Sequence, residues 1–313
     1  LSISAGIRNT AVYVVNPGSR VELQSGTLSV YKEDLLGMEG GALYANGSAL
    51  TVSGGTLKGH TVSDNVAVIS ADTVGITGGR LLLQTERCPA VIQGPVSASG
   101  GTIAAYGHTG NSADSDTAYH GADAIPGYSG SAVFEDFLPF ADVFVTDAYY
   151  EAVETCYQKG YFKGTSAATF SPDISMTRSM FVTVLYRMAG EPAVSGTTPF
   201  TDLRQDWYRD AVIWAVDREI TNGTSATTFS PDEPVSREQA AVFLYRFAQM
   251  RGDQFGQVNR SVSHGTLSAW AENEVLWALS GGLFTGAEDP MANPQDYAPR
   301  SLLATVIKNY SSR

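Results

Sequence analysis

Three arginines occupy equivalent positions in three related segments of this chain. Thr177-Arg178 and Ser236-Arg237 each join a hydroxyl residue to the arginine, and a more divergent third copy has Arg300. The hydroxyl residue is placed to cap a helix whose first residue is the arginine. A helix N-terminus already carries about half a positive charge, so a cation there is unfavourable unless an anion lies against it. An arginine beside free N–H donors is therefore a good receptor for a carboxylate or a phosphate.

A second interpretation pairs the arginines with acids of the same array. Asp142 and Asp202 each end a Phe-x-Asp motif upstream of the first two arginines. Either carboxylate would neutralise a nearby guanidinium. Both interpretations hold together if the aspartate orients the arginine for a ligand.

The arginines belong to an internal repeat. Residues 163–173 recur almost unchanged as residues 222–232, and adding 63 to positions of the second copy carries Trp207 to Trp270. Repeats of this length are units that bury their apolar faces against their neighbours. We therefore expect three units, each with two helices joined by a loop rich in Gly, Ser and Thr.

The repeat resembles the S-layer homology module, a bacterial cell-wall anchoring repeat. Its submotifs follow in order: Phe-x-Asp at 140–142 and 200–202, Trp-Tyr near the start of a helix, a Gly-Thr loop ending in Phe-x-Pro, and a second helix opening with hydroxyl-Arg. Four separated submotifs in one order make the resemblance specific. It implies an all-α pseudo-threefold array of three helix-loop-helix repeats, with the first helices forming a central bundle.

The resemblance also implies a binding site. In that family the arginine lines a groove between units and contacts a secondary cell-wall polymer, often with a pyruvylated sugar. The implied partner is this polysaccharide, linked to peptidoglycan, and no catalytic residue, metal or cofactor is implied. The implied polymer-binding residues are an arginine and its cap, the aspartate, a loop glycine that lets backbone approach the sugar, and a tryptophan: Arg178, Arg237, Arg300, Thr177, Ser236, Asp142, Asp202, Gly164, Gly223, Gly286, Trp207 and Trp270.

The tryptophans divide into two sets by helical spacing. Trp214 and its equivalent Trp277 continue an apolar stripe and are predicted to pack in the core. Trp207 and Trp270 occupy the family's groove position. For these two, stacking on a sugar and core packing remain alternatives.

The copies depart from the pattern in specific places. The first unit has Ala148 where the aligned tryptophan would stand, and the third has residues 262–264 in place of Phe-x-Asp. Arg300 follows Pro299, which offers no hydroxyl cap. We therefore expect binding to be best supported at Arg237.

The N-terminal part has a different repeat. Residues 21–28 are echoed by residues 50–57, 74–81 and 96–103, each with alternating apolar residues, a glycine corner and a second apolar run. This pattern predicts strand, corner, strand. The intervals of 29, 24 and 22 residues favour a right-handed parallel β-helix, cut mid-array, over a sandwich with turns every ~8 to 12 residues.

The predicted organisation is therefore multidomain. An all-β solenoid of the β-helix type occupies residues 1–105, and a Gly/Ser/Asp linker or cap occupies residues 106–136. The all-α repeats follow at 137–192, 197–252 and, in degenerate form, 258–311. A metal site in the linker is disfavoured, because its candidates match neither EF-hand nor zinc spacing: His108, Asp114, Asp116 and His120.

Composition limits the partners. A net charge of -12 makes nucleic acid and anionic membranes poor candidates, and no apolar run approaches the roughly 20 residues of a membrane span. Leu1 begins no signal peptide, so we expect a mature or C-terminal fragment of an exported, cell-surface protein. Cys88 and Cys156 fall in different predicted domains and are expected to be small core residues rather than a disulfide.

Two classes of function follow. The favoured one is non-catalytic anchoring of a bacterial surface protein to the cell wall. The rival is a wall-attached polysaccharide lyase or hydrolase, or an adhesin, active in the solenoid or in a missing N-terminal part. An active solenoid needs acids stacked at equivalent positions of neighbouring coils, whereas Glu22, Asp64, Asp72 and Glu86 occupy unrelated positions. The oligomeric state is left open.

Overall fold

Two units make up the chain. The computed structural model describes residues 12–14, 18–32, 42–62, 66–108, 118–136, 138–253, 256–286 and 291–313. Contacts between residues group 1–139 with 143–147 as the first unit, and 140–142 with 148–313 as the second. Within the described ranges, every named β-strand lies in the first unit and every α-helix in the second.

The first unit consists of two sheets, and the chain alternates between them. The seven-stranded sheet contains β1 (Val12–Tyr13), β2 (Arg20–Leu23), β4 (Leu43–Val52), β6 (Ile69–Ile76), β8 (Ile92–Gln93), β9 (Val96–Ala98) and β12 (Tyr128–Gly130). The six-stranded sheet contains β3 (Thr27–Lys32), β5 (Thr56–Thr61), β7 (Arg80–Thr85), β10 (Thr102–His108), β11 (Ala118–His120) and β13 (Val133–Phe134). A short 3-10 helix, Gly121–Ala124, follows β11.

The strand, corner, strand prediction is confirmed, and the repeat alignment gives the register. Leu28 pairs with Leu57, Leu57 with Leu81, and Leu81 with Ile103 across parallel strands. The glycine corners of successive repeats also lie directly against each other. A Cβ on Gly79, where φ is +77°, would lie 2.8 Å from backbone atoms of the corner before it, so only glycine fits.

The predicted right-handed parallel β-helix is wrong. The strands belong to two separate sheets of seven and six strands, and β11 runs antiparallel to β10. One core contains apolar side chains of both sheets, among them Leu50 and Val74 from the larger sheet and Leu57 from the smaller. Repeat spacing specifies which residues are equivalent. It does not specify which strands hydrogen-bond to each other in one sheet, because that depends on contacts between distant segments.

The second unit contains three helix pairs. The first pair is α1 (Tyr150–Gln158) and α2 (Arg178–Met188), and the second is α3 (Asp206–Asp217) and α4 (Arg237–Arg251). The third pair is α5 (Glu272–Ser280) and α6 (Arg300–Ser311). The core prediction for Trp214 and Trp277 is confirmed, since only 4% and 5% of their surfaces are exposed.

The three pairs close into a ring. Helix α2 packs against α3, α4 against α5, and α6 against α1. At the centre, the N–H of Met176 donates to the carbonyl of Ala298, Ala298 donates to Val235, and Val235 donates back to Met176, at 2.8 to 2.9 Å. The first helices do not form the central bundle that the resemblance implied. Each packs against the second helix of a neighbouring pair, and the segments that precede the second helices meet at the centre.

The described residues contain neither a metal-binding cluster nor a helix suited to a membrane. Asp114 and Asp116 of the disfavoured metal site lie outside the described residues. Elsewhere in the described ranges, no group of three or more His, Cys, Asp and Glu is placed to hold a metal ion. None of the described helices is long and apolar enough to cross a membrane. Cys88 and Cys156 are free and buried, and burial raises the pKa of both thiols, that of Cys156 to about 12.

We expect Leu57→Ala to lower the stability of the first unit by about 2–5 kcal/mol, because Leu57 is fully buried within the ladder of paired residues. Hydrogen exchange of peptides from β3, β5 and β7 should accelerate. Thr51→Ala, on the half-exposed face of β4, is the control and should change exchange little. Equal effects of the two changes would contradict this account of the core.

Candidate functional site

The second helices begin as the sequence predicts. Helices α2 and α4 start at Arg178 and Arg237. The Thr177 hydroxyl accepts from the N–H of Met180 at 3.3 Å, and Ser236 forms a capping box with Gln239. Helix α6 starts at Arg300, whose preceding residue makes no side-chain cap. The caps fix the starts of α2 and α4 and therefore the backbone positions of Arg178 and Arg237.

The aspartates hold the loops of their own pairs. Asp142 accepts hydrogen bonds from the N–H groups of Phe170 and Ser171, both at 2.7 Å, and Asp202 does the same at the equivalent loop. Ser171 and Ser230 both have φ of +57°, a left-handed conformation that is costly for serine. Each carboxylate therefore stabilises a strained loop corner.

Two of the arginines reach from one pair into the loop of another. The Arg178 Nε donates to the carbonyl of Phe229 at 3.0 Å, and its guanidinium lies 5.0 Å from that ring and 5.2 Å from the ring of Phe243. The Arg300 Nε donates to the carbonyl of Phe170 at 2.8 Å, with the guanidinium 4.5 Å from that ring. Only 5% of Arg178 and 4% of Arg300 is exposed. Both side chains thus tie neighbouring pairs together.

The aspartates also support these buried cations electrostatically. Burial lowers the pKa of Arg178, and the attraction of Asp202 opposes this. Burial lowers the pKa of Arg300 to about 10, and Asp142 opposes it in the same way. Both arginines remain charged at neutral pH. The direct hydrogen bonds of the aspartates go to loop N–H groups, while those of the two arginines go to carbonyl oxygens.

Arg237 has a different environment. It is partly exposed, whereas Arg178 and Arg300 are buried. Its N–H donates to a carbonyl of the third pair, as the other two do in their neighbours. At the position equivalent to Phe229, however, the third pair has Ala292. A methyl group therefore replaces the ring that covers Arg178, and Arg237 is the most accessible of the three arginines.

Glu238 is a buried acid that contacts the third pair, which lacks the Phe-x-Asp aspartate. Although it belongs to the second pair, its carboxylate accepts from the N–H and hydroxyl of Ser268 at 3.2 and 2.8 Å, and from the amide of Gln295 at 3.1 Å. It is only 3% exposed. The repeat pattern did not single out Glu238 as a site residue. The available signal was an acid at a position where the other copies have Ser179 and Ser301.

The loop glycines have a packing role in two of the three pairs. A Cβ on Gly223 would lie 2.5 Å from the ring of Phe200, and one on Gly164 would lie 2.6 Å from the ring of Phe140. Gly286 has φ of +85° and no such neighbour within 4 Å. At the first two positions, the absence of a side chain admits the phenylalanine of the opening motif.

The tryptophans at the groove position lie on the surface. Trp207 is 52% exposed and Trp270 is 56% exposed, so of the two alternatives the structure excludes core packing. Trp207 also contacts Tyr208 edge to face, with ring centroids 4.9 Å apart. Its position on the first turn of α3 leaves the indole accessible to a ligand.

Comparison with protein families identifies part of the helical unit. Residues 139–179 and 199–241 match the S-layer homology domain. The matched residues contain Asp142, Asp202, Arg178 and Arg237, together with both capping residues. The chain therefore contains S-layer homology sequence in its first two helix pairs.

Several curated proteins are similar to parts of this chain. An endoglucanase of Bacillus sp. (strain KSM-635) is 30% identical over 173 residues, which is 54% of this chain and 18% of that protein. The surface-layer 125 kDa protein of Lysinibacillus sphaericus is 29% identical over 139 residues, 44% of this chain and 12% of that protein. A cellulosome-anchoring protein of Acetivibrio thermocellus is 21% identical over 159 residues, 49% of this chain and 36% of that protein. The chain thus spans a minor part of each.

We expect Arg178→Ala to lower the free energy of unfolding of the helical unit by about 3 kcal/mol, since it removes a buried hydrogen bond and ring contacts. The partly exposed Arg237→Ala should cost less than about 1 kcal/mol. Urea unfolding followed by tryptophan fluorescence measures both, because all four tryptophans lie in this unit. Similar losses would show that Arg237 is as structural as Arg178.

We expect Gly223→Ala to be more destabilising than Gly160→Ala. Both glycines have positive φ, +77° and +73°, so each change costs about 1–2 kcal/mol in backbone strain. Only at Gly223 does the new Cβ also collide with neighbours, the ring of Phe200 and the carbonyl oxygen of Thr228, both 2.5 Å away, which adds about 2–3 kcal/mol. The same fluorescence assay gives the difference. Equal costs would mean that the Phe200 ring and the Thr228 backbone both move aside freely.

Proposed function

We propose that this chain anchors a bacterial surface protein to the cell wall by non-covalent binding of a secondary cell-wall polysaccharide. The observation that carries the proposal is the match of residues 139–179 and 199–241 to the S-layer homology domain. Two similar proteins are named as a surface-layer protein and a cellulosome-anchoring protein, which supports the same role and a location at the cell surface.

The third helix pair acts in this proposal as a third, degenerate S-layer homology module. It lies outside the matched residues. Ala298 nevertheless contributes the third hydrogen bond of the central ring, and Arg300 enters the loop of the first pair as Arg178 enters that of the second. Those contacts support its equivalence to the other two pairs.

The polymer-binding residues have separate roles in the proposal. Arg237 is the anion receptor, since it is the partly exposed arginine of the three, it begins α4, and a guanidinium suits a carboxylate such as that of a pyruvylated sugar. Trp207 and Trp270 offer exposed faces to sugar rings. Arg178 and Arg300, with their loops, form the framework of the site. The remaining positions hold those loops and helix starts: Asp142, Asp202, Gly164, Gly223, Gly286, Thr177 and Ser236.

The similarity to differently named proteins favours attachment over catalysis. Proteins named as an endoglucanase and as a surface-layer protein both resemble this chain, over at most 18% of their own lengths. A chain that resembles parts of proteins with such different names suits a role that both can use, such as attachment. An enzyme of the rival class would then have its active region elsewhere in a longer protein, with this chain as its attachment.

We expect the chain to pellet with purified bacterial sacculi and to remain in solution after the secondary polymer is stripped by acid. Arg237→Ala should weaken binding about tenfold to a hundredfold, because it removes a charge-assisted hydrogen bond. Arg204→Ala removes the same charge from an exposed site of the same unit and should bind as the unaltered chain does. Equal pelleting with stripped and unstripped sacculi would contradict the proposal.

A further inference from the structure

The interface between the second and third pairs contains an aromatic residue that the other two interfaces lack. Tyr297 pairs with Ser236, the cap of α4, in an antiparallel bridge. At the other two interfaces, the residue in the place of Tyr297 is Pro234 or Ser175, each opposite the residue that precedes an arginine. An aromatic ring at this position is therefore confined to the interface that contains Arg237.

The backbone on both sides of Tyr297 is held firmly. The N–H of Arg237 donates to the carbonyl of Asp296 at 3.0 Å, and the N–H of Ala298 donates to the carbonyl of Val235 at 2.9 Å. These bonds, with the bridge to Ser236, form a short ladder between the two pairs. Tyr297 therefore has a fixed backbone position.

Glu238 contacts the residues that precede Tyr297. Its carboxylate accepts from the amide of Gln295, and its N–H donates to the carbonyl of Pro294 at 3.0 Å. Because Glu238 is almost fully buried, these contacts are shielded from water and position the segment strongly. The backbone bond is shared by Ser179 and Ser301 at the other two interfaces, whereas the carboxylate contact is particular to Glu238 and holds Gln295, two residues before Tyr297.

The ring of Tyr297 is available to a ligand. It is 56% exposed. Side chains paired across an antiparallel bridge stand on the same face, with Cβ atoms about 4.5–5.5 Å apart. The Tyr297 side chain therefore leaves the backbone beside the Ser236 side chain. Ser236 is the residue immediately before Arg237. The small Ala292 stands where the other loops have Phe170 and Phe229, the rings that lie over Arg300 and Arg178.

An acidic sugar has the complementary chemistry. Its carboxylate suits the Arg237 guanidinium, and the apolar face of its ring suits the face of an aromatic side chain. Tyrosine provides this contact at low entropic cost, because it has few rotatable bonds and a polar end that stays in water.

We propose that Tyr297 is a specificity-determining residue that stacks on a sugar ring of the wall polymer next to Arg237, and that Glu238 is its positioning residue. This rests on the proposed anchoring function. It makes the interface between the second and third pairs the strongest of the three binding sites, although the third pair is the most divergent copy.

The test measures affinity of the full chain for unstripped sacculi. Tyr297→Ala should weaken binding about tenfold, whereas Tyr297→Phe, which keeps the ring face, should bind within about twofold of the unaltered chain. Ser175→Ala is the matched control at the equivalent position of another interface and should have no effect. Thermal unfolding of all variants, followed by tryptophan fluorescence, checks that the helical unit remains folded.

A double-mutant cycle tests Glu238. Glu238→Ala should weaken binding and accelerate hydrogen exchange in residues 294–298, and combining it with Tyr297→Ala should cause little further loss. Glu238→Gln, which keeps an acceptor oxygen, should retain most of the affinity. Additive losses would overturn the positioning role.

Two further outcomes separate this inference from the anchoring function. If Tyr297→Ala binds as tightly as the unaltered chain while Arg237→Ala binds weakly, the stacking role is wrong and anchoring stands. If the unaltered chain does not bind unstripped sacculi, both are wrong.

Discussion

The helical unit depends on the ring of three backbone hydrogen bonds that joins Met176, Val235 and Ala298. Each residue donates to one neighbouring pair and accepts from the other, so no pair can be removed without leaving buried polar groups unsatisfied. Each also stands two residues before an arginine. The ring therefore sets where each second helix starts and which loop its arginine enters.

Around this symmetric centre, the three interfaces have different chemistry. Where a phenylalanine covers the guanidinium, the arginine is buried and joins two pairs. Where Ala292 replaces that ring, Arg237 is partly exposed, and Glu238 binds Ser268 and Gln295 of the third pair. Divergence of the third copy thus changes the interface without breaking the ring, because the ring is made by backbone atoms that do not depend on side-chain identity.

The first unit is stabilised by a different kind of repetition. Equivalent leucines pair from strand to strand, and glycine corners stack with backbone contacts too close for any Cβ. Such stacking buries a continuous core from short segments that would be unstable alone. Its polar residues vary from one copy to the next, as is usual where the repeat maintains a scaffold.

The sequence by itself determined the repeat periods, the starts of α2 and α4, the register of Leu28, Leu57 and Leu81, and the burial of Trp214. All of these follow from local patterns: a cap precedes its helix, and equivalent residues of a repeat align. Only the tertiary structure decided that the strands form two sheets, that Arg178 is buried while Arg237 is partly exposed, and that Glu238 serves the third pair. Each of those depends on which distant segments meet. The spacing of residues within one segment does not specify which other segment packs against it.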